Sequence, residues 1–307
     1  LLEYFEDNQD GTKLYVYISE SFLECFDNEN IIIKHYALTN NIFLRIFWTL
    51  FILPITTKLL KINIVYSPFD IGPLLKFNQK YILGIKNPNS ILPINLKSLK
   101  YPNTHQIISK LSSHFSDKII FPSNFAMDLI SKKMNINSDK TFTVHHGFDS
   151  KSWIINDQNF ETNIKYIFFC SLFYKFKNLE LLIELMNILK NKHNSDLKLY
   201  LCGKFVNNDY KIYIHNLIID YNLENTIVFY NNLPKNQIVS LYNNASFNII
   251  PTKFETFGHM YLEAITTKCP VLVYDIPIAR EILQNSVEYF NETNLNGLAE
   301  LIFLNKF

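Results

Sequence analysis

The chain has 307 residues, enough for about two domains on the usual length prior. Hydrophobic residues make up 48% and aromatics 15%, so large cores are available, and a net charge of +1 without a basic or acidic tail argues against a nucleic-acid partner. Four cysteines (Cys25, Cys170, Cys202, Cys269) stand far apart with no CxxC or Cys/His cluster, which argues against zinc and fits reduced, buried thiols in a cytoplasmic protein.

Residues 1–6 read as the tail of a helix and 7–11 as a turn. A Rossmann-type domain starts with a strand and a Gly-rich turn, so that opening unit is expected to be missing and the first domain truncated at its N-terminus. Strand-like runs follow at 14–18, 31–36, 63–67, 80–85, 118–122 and 141–145. The stretch 42–55 is apolar but carries Arg45 and is shorter than the ~18–20 residues of a spanning helix. A buried helix is expected there, with an interfacial helix and peripheral membrane-surface contact as the alternative. Ser123 is a candidate N-cap for a helix running through Met134.

Asn156, Asp157, Gln158 and Asn159 form the most polar break, which divides the chain into domains 1–157 and 158–307. A second strand series then runs 165–170, 197–202, 226–230, 246–250 and 270–274. Between strands, Leu181, Leu182, Leu185, Met186, Ile188 and Leu189 form a helical stripe, with Asn178 the expected N-cap. Alternating strands and helices predict an α/β protein with parallel sheets covered on both faces. Two Rossmann-like domains facing each other across a cleft follow. Ligands in such sheets bind outside the carboxyl ends of the strands, so 171–177, 203–205 and 251–259 should line the cleft.

The segment from Pro251 to Ala264 carries the chemistry. It sets Glu255 and Glu263 around a Phe257-Gly258 turn, between an apolar run and a helix-like stretch. A strand that turns at Gly and opens a helix makes an anion site, because the first N–H groups lack partners and the helix dipole favours negative charge.

This pattern resembles the Glu-x7-Glu signature of retaining GT-B glycosyltransferases, in particular family 4. The likeness extends, in the expected order, over nearly the whole chain. Arg45-Ile46-Phe47-Trp48 with Leu53-Pro54, Asp117 to Ser123, Val144 to Asp149, Lys165 to Leu172 with Lys177-Asn178-Leu179, Leu199 to Gly203, and Cys269 to Pro277 with Arg280-Glu281 all resemble that family's segments. Members usually end in a helix that crosses back onto the first domain, and this sequence is expected to stop before it.

The resemblance implies a GT-B fold and a metal-independent hexosyltransferase without a cofactor, in polysaccharide biosynthesis. The partners it implies are a UDP- or GDP-sugar and a glycan or lipid-linked acceptor. Glu255 would contact the sugar and steady its positive ring as the catalytic residue. Lys177 would hold the diphosphate, with Ser171 and Lys175 beside it. The N–H groups of Gly258, His259 and Met260 would face phosphate or sugar, and Glu263 would accept from the ribose hydroxyls. Leu172 stands where the family pairs the lysine with an arginine, Lys86 where many members have a histidine, and Lys268 where a small residue is expected. These departures keep open a second class of reading, an inactive nucleotide- or glycan-binding module or partner subunit. A GT-B epimerase fits the motif order less well. His145 and His146 are expected to be structural, at the domain junction.

Overall fold

The computed structural model describes residues 13–18, 31–35, 41–87, 102–153, 164–267 and 269–305. The expectations on 1–11, on the 157/158 boundary and on Lys268 lie outside these residues.

In the first half, β1 (Leu14–Ile18) pairs in parallel with β2 (Ile31–His35). A second parallel sheet runs in the order β3 (Ile64–Ser67), β4 (Lys80–Gly84), β5 (Lys118–Phe121), β6 (Thr141–Thr143). Each strand lies within two residues of its expected place. The helix α1, Ile42–Leu59, widens to one π turn over Trp48–Ile52. Pro54 explains the turn, because it has no N–H to give Leu50 and its ring crowds that carbonyl. The freed Leu50 carbonyl accepts from the Leu74 N–H at 3.0 Å instead.

The expectation of a buried α1 is corrected. The helix is 18 residues long, apolar enough by length and composition to cross a membrane, and mostly exposed. Leu50, Leu53, Pro54 and Thr57 are buried, and Leu53 packs on Val65 and Tyr81. Phe43, Phe47 and Leu59 on the other side face solvent, Leu59 at 78% exposure. The sequence hid this because the helix is apolar all round, so periodicity cannot say which face packs.

Helix α2 (Pro102–Phe115) precedes β5. Helix α3 (Asn124–Met134) follows it, and Ser123 caps α3 as expected, its Oγ accepting from the Ala126 N–H at 3.0 Å.

The second half holds one six-stranded parallel sheet: β7 (Tyr166–Cys170), β8 (Lys198–Cys202), β9 (Ile227–Tyr230), β10 (Phe247–Ile250), β11 (Val271–Tyr274) and β12 (Glu288–Phe290). The order is β9-β8-β7-β10-β11-β12. Counted from β7 this is 3-2-1-4-5-6, the doubly wound order with its switch point between β7 and β10. All of β10 and four of the five residues of β7 are buried, as expected for central strands covered on both faces. Helix α4 (Leu179–His193) buries the expected stripe except Ile188, which is only partly buried, and adds Leu179 and Ile183. Each such side chain contributes about 1.5–3 kcal/mol when fully buried. Four further helices, α5 (Asn208–Asp220), α6 (Lys235–Asn244), α7 (His259–Ile265) and α8 (Pro277–Leu283), alternate with the strands, and α9 (Leu295–Leu304) packs on α4.

The halves touch through specific polar bonds. The Ser123 hydroxyl donates to the Thr256 carbonyl at 2.6 Å, and the Thr256 hydroxyl donates to the Lys86 carbonyl at 2.8 Å. A cleft lies beside these bonds, at the carboxyl ends of both sheets.

Candidate active site

The cleft has a volume of about 830 Å³ and takes its walls from both halves. It sits at the switch point, where the connections from β7 and β10 leave the sheet in opposite directions. Of the residues singled out in the sequence, Ser171, Lys177, Glu255, Gly258, His259, Met260 and Glu263 all line it. Lys175 does not, and is corrected: it is exposed, while the tight turn Lys175–Lys177 directs Lys177 inward. The expected windows narrow in the same way, since 173–176, 205 and 251–254 do not reach the cleft.

Lys177 and Glu255 form an ion pair on the cleft floor, at 7% and 8% exposure. The Lys177 Nζ also lies 3.8 Å from Met260 Sδ. The turn that carries Lys177 closes with Asn178 in the left-handed region, φ 60°. Asn178 is therefore not the side-chain cap the sequence suggested. Its Nδ2 donates to the Pro251 carbonyl at 3.1 Å and so ties the loop after β7 to the loop after β10. The first N–H of α4, Leu179, donates instead to the Tyr210 hydroxyl at 3.0 Å.

Glu263 lies in the second turn of α7 and accepts from the Tyr242 hydroxyl at 3.2 Å. Burial pushes its carboxyl above the usual range, against the pull of Tyr242, Lys177 and Lys235. Gly258, with φ 83°, opens α7. A Cβ there would meet the Tyr261 ring at 2.4 Å. Glycine is thus required by the buried tyrosine as well as by the backbone.

Sequence reasoning missed several cleft residues. Asp70, with φ 63° and 3% exposure, accepts from the Lys86 N–H at 2.7 Å and the Asn87 N–H at 3.1 Å, which fixes the loop after β4. Burial raises its pKa, opposed first by those two amides. Lys204, just past β8, lines the opposite wall. It falls inside the window 203–205 that the strand-end rule expected to line the cleft and so was not missed, whereas Asp70 had no local signal.

His146 and His259 meet across the cleft, Nδ1 to Nε2 at 2.8 Å, and the His146 ring stacks on Phe257 at 4.9 Å. Burial lowers both pKa values. Each histidine lowers toward the neutral form that lets one ring donate to the other. His145 stands 3.3 Å from the Glu281 carboxylate. Both histidines therefore sit at the junction of the halves.

A four-stranded and a six-stranded parallel sheet with a cleft at their carboxyl ends define a GT-B fold built of two Rossmann-like domains. Residues 151–302 match the model of the family described as Glycosyl transferases group 1. A curated relative, the O-antigen chain mannosyltransferase RfbU of Salmonella typhimurium, is 23% identical over 231 residues, 71% of this chain and 63% of its own. An uncharacterized glycosyltransferase of Methanocaldococcus jannaschii, MJ1607, is 26% identical over 58% of this chain and 47% of its own. The chain thus spans between about half and two thirds of the length of these relatives. Among solved structures, Anabaena Alr3699/HepE in complex with UDP and glucose superposes with a TM-score of 0.67 at 13% identity, over 89% of this chain and 76% of that one. At that identity the likeness concerns the fold.

Proposed function

We propose that the protein is a retaining glycosyltransferase. It moves a hexose from a UDP- or GDP-sugar to a glycan or lipid-linked acceptor and needs no metal. One observation carries the reading: Lys177, Glu255 and Glu263 share one cleft at the switch point.

Breaking the sugar–phosphate bond builds negative charge on the leaving diphosphate and positive charge on the ring. Lys177 offsets the first, aided by the N–H groups of Gly258, His259 and Met260. Ser171 borders the phosphates, and Lys86 and Lys204 add charge from the two walls. Glu255 faces the second and contacts the sugar hydroxyls. Glu263 accepts from the two ribose hydroxyls. The acceptor hydroxyl attacks from the face the diphosphate leaves, and its proton passes to a phosphate oxygen. The names of the relatives support the substrate classes: an O-antigen mannosyltransferase in one case, a complex with UDP and glucose in another.

The test is a panel of UDP- and GDP-sugars with glycan and lipid-linked acceptors. The wild type should transfer or hydrolyse at least one sugar, and Glu255→Ala should lose most turnover while still binding nucleotide. Nucleotide binding with no turnover across the panel would instead favour the binding-module reading. Leu172 gives that reading its support, an apolar side chain 51% exposed in the cleft where the family carries an arginine.

We further place the protein in the cytoplasm, peripheral at the membrane face. The exposed face of α1, with Phe43, Phe47 and Leu59, supports this, and Lys58 near its end suits anionic lipid. Because the opposite face packs on β3 and β4, the helix is suited to lie along a bilayer surface. Flotation with anionic vesicles should recover the protein; Phe43→Ser/Phe47→Ser recovering as well as wild type would count against it.

A further inference from the structure

Cys170 closes β7 and Cys202 closes β8, and the two are register partners across this parallel pair. Neighbouring strands lie about 4.8 Å apart, and a disulfide spans a Cα separation of about 4.4–6.8 Å. Register partners point to the same face, here the face that carries Phe168 and Tyr200. Both cysteines line the cleft. Both are free, Cys202 buried and Cys170 partly exposed. Lys177 and Glu263 act electrostatically on Cys170 from the same cleft. The mechanism above uses neither sulfur.

We infer that Cys170 and Cys202 form an oxidisable dithiol, which a low-molecular-weight disulfide converts to a bridge across the cleft floor, and that this bridge shuts the nucleotide site. The second half rests on the reading of the cleft as a nucleotide-sugar site. In the first step a cysteine thiolate attacks one sulfur of the oxidant. A mixed disulfide forms, the oxidant's S–S bond breaks, and one thiol leaves after taking a proton. In the second step the other cysteine gives its proton to solvent and attacks the mixed disulfide, expelling the second thiol. Two cysteine sulfurs are oxidised and two oxidant sulfurs are reduced.

The bridge draws the sulfurs to about 2.05 Å. The backbone separation of the register pair already suits that bond, so the sulfurs close by turning their side chains toward each other at the cleft floor. A Cβ on Gly203 would already lie 1.7 Å from the Ser171 carbonyl oxygen. Ser171, Gly203 and Lys204 border the cleft beside the two sulfurs, so the bridge lies against the space the nucleotide would occupy.

The experiment treats the reduced full chain with oxidised glutathione, maps the disulfides by peptide mass, and measures UDP and GDP binding before oxidation, after it, and after dithiothreitol. The expected result is a Cys170–Cys202 linked peptide, a fall in nucleotide binding of about tenfold or more, equivalent to about 1.4 kcal/mol, and recovery on reduction. Cys170→Ser should show no linked peptide and no response to oxidant, while Cys269→Ser should behave as wild type. Absence of the linked peptide from oxidised, folded wild type overturns the inference, whether or not the serine variant folds. A linked protein that binds nucleotide as before overturns the closure. If reduced protein binds neither UDP nor GDP, the reading of the cleft fails and the closure with it, while the mapping still decides the bridge.

Discussion

The carboxylate of Glu281, on α8 of the second domain, accepts the backbone N–H of Asn124, at the start of α3 in the first, at 2.7 Å. It also accepts the Phe125 N–H at 2.8 Å, while Ser123 serves the Ala126 N–H. The open N-terminus of one domain's helix is therefore satisfied by a side chain from the other. Removing an N-cap acceptor costs about 0.5–2 kcal/mol. Glu281→Ala should lower stability by that amount and loosen the closed arrangement. Urea midpoints and small-angle scattering would read both; an unchanged midpoint with unchanged dimensions would show that the contact holds nothing.

Lys177 and Glu255 are paired where neither is well solvated. Breaking a buried pair by removing one partner costs about 3–5 kcal/mol, whereas replacing both with apolar groups of similar size is often neutral. Lys177→Met should thus destabilise strongly, and Lys177→Met/Glu255→Leu should recover most of that loss while leaving nucleotide binding abolished. A double variant that still binds UDP or GDP would remove Lys177 from the phosphate role. A recovered fold with lost binding separates the pair's structural cost from its chemistry.

Most strands and the floor of the cleft were legible because β-branched and aromatic runs mark strands locally, and the carboxyl-end rule then locates the loops. β12 was not, since three residues give too little pattern. Relationships set by tertiary packing were also hidden. Nothing near Glu281 in sequence points to Asn124, and nothing near Cys170 points to Cys202. Asn178 misled for a physical reason. Asparagine favours both the N-cap and the left-handed region, and here the second preference decided its geometry, leaving its amide free to reach Pro251. Lys175 and Lys177 look equivalent in sequence. Only the tight turn between them sends one inward.

The His146–His259 contact should make the closed cleft sensitive to acid. Burial lowers both pKa values; His259 and Lys86 further lower His146, and Lys86 further lowers His259 while Glu255 opposes it. The unfolded chain then binds more protons than the folded one between the usual histidine value of about 6.5 and the depressed folded values. Their contribution is fully present above about pH 6.5 and is lost as pH falls through the folded values. Melting temperatures should decline over that window, and His146→Asn/His259→Asn should flatten the decline. An equal slope in the double variant would assign the acid sensitivity to other groups.

Leu172 offers the converse experiment, a gain rather than a loss. Its side chain borders the cleft at 51% exposure, on the same loop as Lys177, so a longer cationic side chain has room to point at a diphosphate. Arginine presents a planar fork that matches phosphate oxygens two at a time, which leucine cannot do. Hydrogen bonds to charged groups contribute about 1.5–3 kcal/mol, and the open position argues for the lower end. Leu172→Arg should therefore tighten UDP or GDP binding by about tenfold. Because the new contact is exposed, the gain should shrink as salt rises. Calorimetric titrations of wild type and variant at two ionic strengths would measure both effects. If affinity does not rise at low salt, the diphosphate does not lie against this loop, and the placement of Lys177 as its ligand would have to be abandoned.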